Sequence, residues 1–211
     1  MPLLDATGRD LPVEAALETA VATLRAGGVV GVPTDTVYGL AADPRVPGAT
    51  AGVFALKGRP EHSPLPVLVD GVAQGATVGV IQGLAAVLAE RLWPGGLTIV
   101  VSRAPGVDFD LGGEPETVGL RCPDDAVTRE LCRRAGPLAV TSANRHGEPA
   151  PAGAAEVAES FPGLLVLDGG ECRGVPSTVV DLTGPEPRQL RAGAVPWDDV
   201  LAAARGSRPE A

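Results

Sequence analysis

Short apolar runs that end in polar segments recur along this chain, and they constrain its fold more than any other feature. The first run covers residues 29–32 and leads into the segment 33–40, which holds two threonines, an aspartate and the only tyrosine. A short apolar run bounded by turn residues is typical of a buried strand. Because ligands bind at strand ends in open α/β sheets, each such junction is a candidate binding site.

Helical and strand-like segments alternate through the chain, but without a strict β-α-β rhythm. Between Pro12 and the pair Gly27-Gly28, apolar residues recur at helical spacing, which predicts a helix over residues 13–26. Further helices are predicted over residues 50–57, 84–92, 124–135, 153–160 and 197–204. Strands are predicted over residues 29–32, 66–69, 97–101, 117–121, 138–141, 164–167, 177–182 and 188–190.

The order of these segments predicts the fold class. Several late strands follow one another without a helix between them, which favours a mixed sheet over a purely parallel one. We therefore predict an α/β fold, an open twisted mixed sheet with helices on its faces. Residues 1–205 are expected to form one domain because no linker or repeat separates them, and residues 206–211 to form a frayed tail.

Charge and composition narrow the class of protein. The formal net charge of −9 argues against a broad nucleic-acid-binding face, which needs a cationic surplus. Three cysteines at wide spacing form no metal or redox motif, so reduced thiols in a cytoplasmic protein are expected. The N-terminus does not resemble a signal peptide, and no apolar run approaches the roughly 20 residues of a membrane span.

Cationic side chains stand at two of the junctions. Lys57 and Arg59 flank a glycine after a predicted helix, where they suit phosphate oxygens; a solvated surface turn is the alternative. Arg121 ends a predicted strand, where it can bind a carboxylate or a phosphate. The alternative for Arg121 is a surface ion pair with Asp124 or Asp125.

Hydrogen-bonding side chains follow two further strands. Thr141-Ser142-Ala143-Asn144 offers donors and acceptors to a ligand, or else forms a capped turn before Gly147. Segments 176–181 and 190–193 add Ser and Arg side chains that are weak signals alone. Ser142 lacks the Gly-x-Ser-x-Gly setting of a nucleophilic serine, and the chain contains neither a Walker A loop nor a dinucleotide fingerprint.

Together these motifs resemble the YrdC-like L-threonylcarbamoyladenylate synthase family. The resemblance runs from about residue 13 to about residue 195. Seven motifs stand in that family's order: Pro33-Thr34-Asp35-Thr36-Val37-Tyr38-Gly39-Leu40, Lys57-Gly58-Arg59-Pro60, Trp93-Pro94-Gly95-Gly96-Leu97-Thr98, Gly119-Leu120-Arg121-Cys122-Pro123, Thr141-Ser142-Ala143-Asn144, Ser177-Thr178-Val179-Val180-Asp181 and Leu190-Arg191-Ala192-Gly193. The resemblance implies a single YrdC-like domain with a large concave ligand groove.

The resemblance also implies a reaction. The family makes threonylcarbamoyl-AMP and pyrophosphate from L-threonine, bicarbonate or CO2, and ATP, and other proteins transfer the threonylcarbamoyl group to an adenosine of tRNA. Mg²⁺ is expected to arrive with ATP, with no organic cofactor and no metal held by the protein. Downstream tRNA threonylcarbamoyl transferase proteins are the expected partners, with weak or no direct nucleic-acid binding and no membrane.

Eleven residues receive roles from the resemblance, with Lys57 and Arg59 as the catalytic pair. The implied ATP contacts are Lys57, Arg59, Ser63, Thr117, Ser142, Asn144 and Arg191. The implied L-threonine contacts are Thr34, Arg121, Thr141 and Ser177, with Arg121 on the carboxylate. Ser63 stands where relatives often carry Asn, and Leu68 where some carry His.

Two other functions remain open at this point. A non-catalytic RNA-binding module could use the same fold, although the net charge of −9 disfavours it. A paralogue could keep the groove and use another carbamoyl or acyl donor, and the unusual Ser63 and Leu68 keep that alternative open.

Overall fold

The computed structural model describes residues 3–7, 13–58, 63–145 and 147–205, so the predicted tail over residues 206–211 lies outside the described residues. The described strands are β1 (Leu3–Asp5), β2 (Val30–Val32), β3 (Gly39–Ala42), β4 (Val67–Leu68), β5 (Leu97–Ser102), β6 (Thr117–Arg121), β7 (Leu138–Ser142), β8 (Leu165–Asp168), β9 (Thr178–Asp181) and β10 (Arg188–Arg191). The described helices are α1 (Val13–Arg25), α2 (Ala49–Lys57), α3 (Val72–Gly75), α4 (Leu84–Leu92), α5 (Ala126–Ala135), α6 (Ala154–Ser160) and α7 (Trp197–Arg205).

All ten strands belong to one mixed sheet, in the order β1-β8-β2-β3-β7-β4-β6-β5-β9-β10. The pairs β1–β8, β2–β8, β4–β6 and β5–β9 are parallel, and the other neighbouring pairs are antiparallel. The predicted α/β class with a mixed sheet is therefore confirmed. Every predicted helix and strand is present, with boundaries shifted by at most two residues.

Helices cover both faces of the sheet because successive strand residues point to opposite sides. One hydrophobic cluster contains the buried sides of α1 and α5, and the other contains those of α2, α4 and α6. In β8, Leu165 and Leu167 belong to the first cluster and Val166 belongs to the second. Removing apolar surface from water on both faces is the main favourable contribution to folding.

Three elements were not predicted from the sequence: β1, β3 and the short helix α3. Residues 39 and 40 were assigned to a polar loop, whereas β3 pairs with β2 on one side and β7 on the other. Its sequence, Gly-Leu-Ala-Ala, has low strand propensity and is buried on both faces, so it shows no alternation. Gly39 is required there because a Cβ atom would lie 2.5 Å from a methyl carbon of Val140.

The position of β3 determines where the polar segment 33–40 lies. Because β3 runs between β2 and β7, Gly39 is the register partner of Ser142. The loop between β2 and β3 is thereby placed beside the end of β7, although the two motifs are about a hundred residues apart in the chain.

Candidate active site

Two adjoining cavities open at the strand ends where the sequence motifs meet. The smaller cavity has a volume of about 280 Å³, and the larger one about 880 Å³. Pro66, Thr98 and Arg191 line both cavities. Ligand sites in proteins commonly measure about 300–1,000 Å³, so the larger cavity has the size of a nucleotide site and the smaller one that of a small metabolite site.

The structure brings most of the predicted site residues to these two cavities. The smaller cavity is lined by Thr34, Arg121, Thr141, Ser142, Asn144, Ser177 and Arg191. Ser63 and Thr117 line the larger cavity. Lys57 lines neither cavity but contacts residues that do, and Arg59 lies outside the described residues. Which of these residues touch ATP and which touch threonine stays a prediction.

Arg121 is the buried cation of the smaller cavity, and its side chain is only 7% exposed. Its Nε donates to Gly95 O at 3.0 Å, and one terminal nitrogen donates to Thr36 Oγ1 at 2.7 Å. The other terminal nitrogen forms a salt bridge of 2.5 Å with Asp35 Oδ1. Burial lowers the pKa of the Arg121 guanidinium, and the Asp35 carboxylate opposes that shift.

The ion pair proposed from the sequence as an alternative for Arg121 is wrong. Asp125 instead caps α5 by accepting a hydrogen bond from the Thr128 N–H at 2.8 Å. Asp124 pairs with Arg129 at 3.1 Å, and its backbone N–H donates to Asp35 Oδ1. Arg121 therefore lies inside the protein rather than on its surface.

The loop between β2 and β3 contains a directed chain of hydrogen bonds. The Thr34 hydroxyl donates its single proton to Val37 O at 2.6 Å. Thr36 Oγ1 lies 2.9 Å from Thr34 Oγ1, so the Thr36 hydroxyl must be the donor in that pair. Thr36 is then left with lone pairs for Arg121, and the hydroxyl predicted to contact threonine, that of Thr34, is already engaged within the loop.

Lys57 ends α2, and its ammonium lies behind the smaller cavity. It is 4% exposed. It donates to the backbone oxygens of Ser142 and Asn144 at 2.7 and 2.9 Å, and to their side-chain oxygens at 3.1 and 2.9 Å. The left-handed glycine after it, Gly58, ends the helix and places Lys57 in its last turn. The ammonium thus holds the segment that follows β7.

Arg191 ends β10 and stands at the boundary between the two cavities. It donates through Nε to Ser177 O at 3.0 Å and through a terminal nitrogen to Ser177 Oγ at 2.9 Å. Ser177 Oγ also lies 2.8 Å from Thr98 Oγ1, at the start of β5. A short polar network therefore joins β5, β9 and β10 where both cavities meet.

Gly193 supports this network by a close backbone approach. A Cβ atom at residue 193 would lie 2.6 Å from Ser177 O and still closer to Pro176 O. We expect Gly193→Ala to lower the free energy of unfolding by about 1–3 kcal/mol, because backbone atoms cannot rotate away as a side chain can. Chemical denaturation measures this loss. The matched control is Gly71→Ala, where an added Cβ meets nothing within 4 Å and stability should not change.

Three residues of the site carried no role in the sequence analysis: Asp35, Thr36 and Tyr38. Tyr38 is fully buried, donates to Gly170 O at 2.8 Å and accepts from the Gly169 N–H at 3.1 Å. Burial raises the pKa of Tyr38, which keeps the phenol neutral and able to donate. No local signal marks Asp35, because its partner, Arg121, lies 86 positions further along the chain.

Within the described part of the chain, no group of three or more His, Cys, Asp and Glu side chains is arranged to hold a metal ion. Carboxylates of Asp110, Glu114 and Asp181 line the larger cavity. Asp181 is engaged by Thr183 and by Arg188, the latter at 2.7 Å. None of the described helices has the length and apolar character needed to cross a membrane.

Known proteins match both the sequence and the fold. A family model named Sua5_yciO_yrdC and described as telomere recombination matches residues 22–193. A Mycobacterium tuberculosis protein provisionally named threonylcarbamoyl-AMP synthase is 43% identical over 183 residues, which are 84% of this chain and 83% of that protein. A Pyrococcus abyssi threonylcarbamoyl-AMP synthase is 38% identical over 189 residues, which are 87% of this chain and 56% of that protein.

A solved structure of P. abyssi Sua5 complexed with L-threonine superposes on this fold with a TM-score of 0.89 and 35% identity. The superposition covers 96% of this chain and 61% of the archaeal one. The chain thus spans less than two thirds of the length of this archaeal relative and most of the length of the mycobacterial one.

Proposed function

The chain belongs to the Sua5, YciO and YrdC family, and from that premise we infer that it is an L-threonylcarbamoyl-AMP synthase acting in tRNA modification. It combines L-threonine, bicarbonate or CO2, and ATP, and it releases pyrophosphate. The observation that carries this inference is the smaller cavity, which is lined by a buried arginine and adjoins a cavity of nucleotide size. The relatives named threonylcarbamoyl-AMP synthase support the same activity.

We propose that L-threonine occupies the smaller cavity with its carboxylate on Arg121. A guanidinium can bind both oxygens of a carboxylate, and such charge-assisted bonds are strong where water is excluded. Thr141 and Ser177 provide further polar groups in the same wall. Leu68 and Val140 form the apolar part of that wall, which suits a small amino-acid side chain.

We propose that ATP occupies the larger cavity and reaches the smaller one past Arg191. Ser63 and Thr117 line its wall, and Arg59 is the proposed phosphate ligand. Lys57 acts on the nucleotide through the segment that it holds, Ser142 to Asn144. The reactive α-phosphorus would then lie near the boundary where Thr98, Ser177 and Arg191 meet.

The proposed reaction requires no protein nucleophile. The threonine amine adds to CO2 and forms a carbamate, and a carbamate oxygen attacks the α-phosphorus of ATP as pyrophosphate leaves. Catalysis then comes from holding the two reactants in line and from cations and N–H groups that stabilise negative charge. Each of the groups named above holds a reactant or another residue of the site, in agreement with this mode of catalysis.

Mg²⁺ is proposed to enter with ATP, held by phosphate oxygens and water, as is usual for this ion. It would neutralise part of the charge on the phosphates. The product is proposed to pass to a tRNA threonylcarbamoyl transferase in the cytoplasm.

The activity is tested by incubating the purified chain with ATP, L-threonine and bicarbonate. We expect mass spectrometry to find threonylcarbamoyl-AMP, with pyrophosphate released only when all three substrates are present. Equal pyrophosphate release without L-threonine would count against the proposal. Tight, salt-dependent RNA binding without turnover would instead favour an RNA-binding module.

The phosphate role of Arg59 is tested by Arg59→Ala. Losing one charge-assisted contact costs about 1.5–3 kcal/mol, so we expect ATP affinity to fall by roughly ten- to a hundredfold, at about 1.4 kcal/mol per tenfold step. Isothermal titration with MgATP measures the change. The matched control is Arg133→Ala on the exposed side of α5, whose partner is Glu130; ATP titrations that are identical for both variants would contradict the proposed role.

A further inference from the structure

We propose that Asp35 is a positioning residue of the threonine site, which selects the N–H groups that Arg121 presents to the substrate carboxylate. This proposal rests on the proposed function, because it concerns how that site receives L-threonine. It assigns a role to a carboxylate that lines neither cavity itself but contacts the buried cation of the smaller one.

Arg121 keeps two donors for a ligand. A guanidinium has five N–H groups. Gly95 O, Thr36 Oγ1 and Asp35 Oδ1 accept three of them. Two N–H groups, one on each terminal nitrogen, have no partner among the residues that the structure describes. Since Arg121 lines the smaller cavity, these two are the donors left for a ligand carboxylate.

Two of the three partners of Arg121, Thr36 and Asp35, are themselves held in place. Thr36 can offer only a lone pair, because its proton is committed to Thr34. The Thr36 carbonyl also accepts from the Gly174 N–H at 2.7 Å. Asp35 Oδ1 accepts a second hydrogen bond of 2.9 Å from the Asp124 N–H. The guanidinium is therefore bound by groups that cannot readily rotate with it.

The loop between β2 and β3, which contains Asp35, is also linked to α5. The Thr128 hydroxyl donates to Pro33 O at 2.6 Å, two residues before Asp35. Together with the bond from Asp124, this fastens the loop between β2 and β3 to the first turn of α5 and to the residue preceding its cap. Asp35 is thus part of a rigid connection, and the orientation of Arg121 depends on that connection.

The charge of Asp35 has a further consequence for the substrate. The side chains of Arg121 and Asp35 are both largely buried, being 7% and 12% exposed. Because their charges are opposite, the pair has no formal net charge before threonine binds. Without the carboxylate, the guanidinium would be free to turn its full charge toward any anion in the cavity. Asp35 therefore favours correct orientation of the threonine carboxylate over tight binding of it.

The test is Asp35→Asn, which keeps the shape of the side chain but removes the charge that holds the Arg121 guanidinium in its orientation. We expect the KM for L-threonine to stay equal or fall, whereas kcat falls about ten- to a hundredfold, the loss typical of a misplaced reactant. Steady-state formation of threonylcarbamoyl-AMP gives both constants. Asp35→Ala, which also removes the acceptor, should lower kcat further, and thermal melting reports whether each variant folds.

The matched control is Asp198→Asn, which removes the same charge from an exposed residue in the first turn of α7. Its kcat and KM should equal those of the unmodified chain. An unchanged kcat or a raised KM in Asp35→Asn, or the same loss in both variants, overturns the positioning role. If the unmodified chain itself forms no threonylcarbamoyl-AMP, the proposed function fails, which is a distinct result.

Discussion

Replacing Arg121 with methionine is expected to raise the KM for L-threonine by about thirtyfold or more and to destabilise the fold at the same time. The proposed carboxylate partner is a charge buried in a small cavity, and truncating one partner of such a pair costs about 2–5 kcal/mol. The same change leaves Asp35 without its cation, and breaking a buried pair costs about 3–5 kcal/mol of stability. Steady-state kinetics and chemical denaturation measure the two effects separately.

The matched control for this change is Arg129→Met. Arg129 lies on α5 near the same loop and donates to Pro123 O and to Asp124, but it lines neither cavity. We expect its KM for L-threonine to stay close to that of the unmodified chain. A double variant, Arg121→Met with Asp35→Asn, removes both buried charges and should recover part of the stability but none of the affinity. Normal threonine affinity in either Arg121 variant would contradict the carboxylate role.

Replacing Lys57 with methionine is expected to unfold the segment that lines the smaller cavity. The ammonium has three protons and four oxygen acceptors on Ser142 and Asn144, all of which lose their donor together. Leaving a partly buried acceptor unpaired costs up to about 1–3 kcal/mol, and for a chain of this size 1 kcal/mol lowers Tm by about 2–4 °C. Differential scanning calorimetry should therefore show a clear fall in Tm.

Binding measurements separate this holding role from a direct phosphate contact. Because Ser142 and Asn144 line the smaller cavity, Lys57→Met should weaken binding of L-threonine as well as of ATP. Loss of ATP binding alone, with normal Tm and normal threonine binding, would show that phosphate contact is the main role. The matched control is Arg25→Met, an exposed cation with one bond of 3.2 Å to a backbone oxygen, where stability should hardly change.

The burial of Lys57 has a direct chemical readout, because it is the only lysine in the chain. Besides the N-terminal amine, it is the single primary amine available to an amine-specific reagent. With the ammonium enclosed by four oxygens, we expect Lys57 to react slowly in the folded protein and rapidly in denaturant. Peptide mapping after brief labelling measures how far Lys57 has reacted in the folded and in the denatured protein.

Periodicity in the sequence was sufficient to predict six of the seven described helices and eight of the ten described strands. The helix α1 shows this well, since Leu17, Val21 and Leu24 recur at helical spacing and all three are buried against the sheet. The strand β3 shows the limit. Its Gly and Ala residues are suited to a strand only because β2 and β7 approach closely on both sides, and no local signal records that approach.

The sequence also predicted only part of the candidate site. The sequence identified seven of the residues that line the smaller cavity and three of those that line the larger one, because polar side chains at strand ends are conspicuous beside apolar runs. They did not identify Asp35 as the partner of Arg121, which is 86 positions away, or Ser142 and Asn144 as the partners of Lys57. Nearby acidic residues, Asp124 and Asp125, were the natural candidates for Arg121 when only sequence distance was known.

The sequence by itself determined the α/β class, the strand ends at which ligands can bind and the chemical types of the groups placed there, because these follow from local periodicity and side-chain chemistry. Only the tertiary structure decided the order of the strands, the burial of Arg121 and Lys57, and the hydrogen bonds that join Arg121 to Asp35 and Thr36. The physical reason is that these properties depend on atoms far apart in the chain. The pairing of donors with acceptors is determined by which strands and loops become neighbours in the folded sheet.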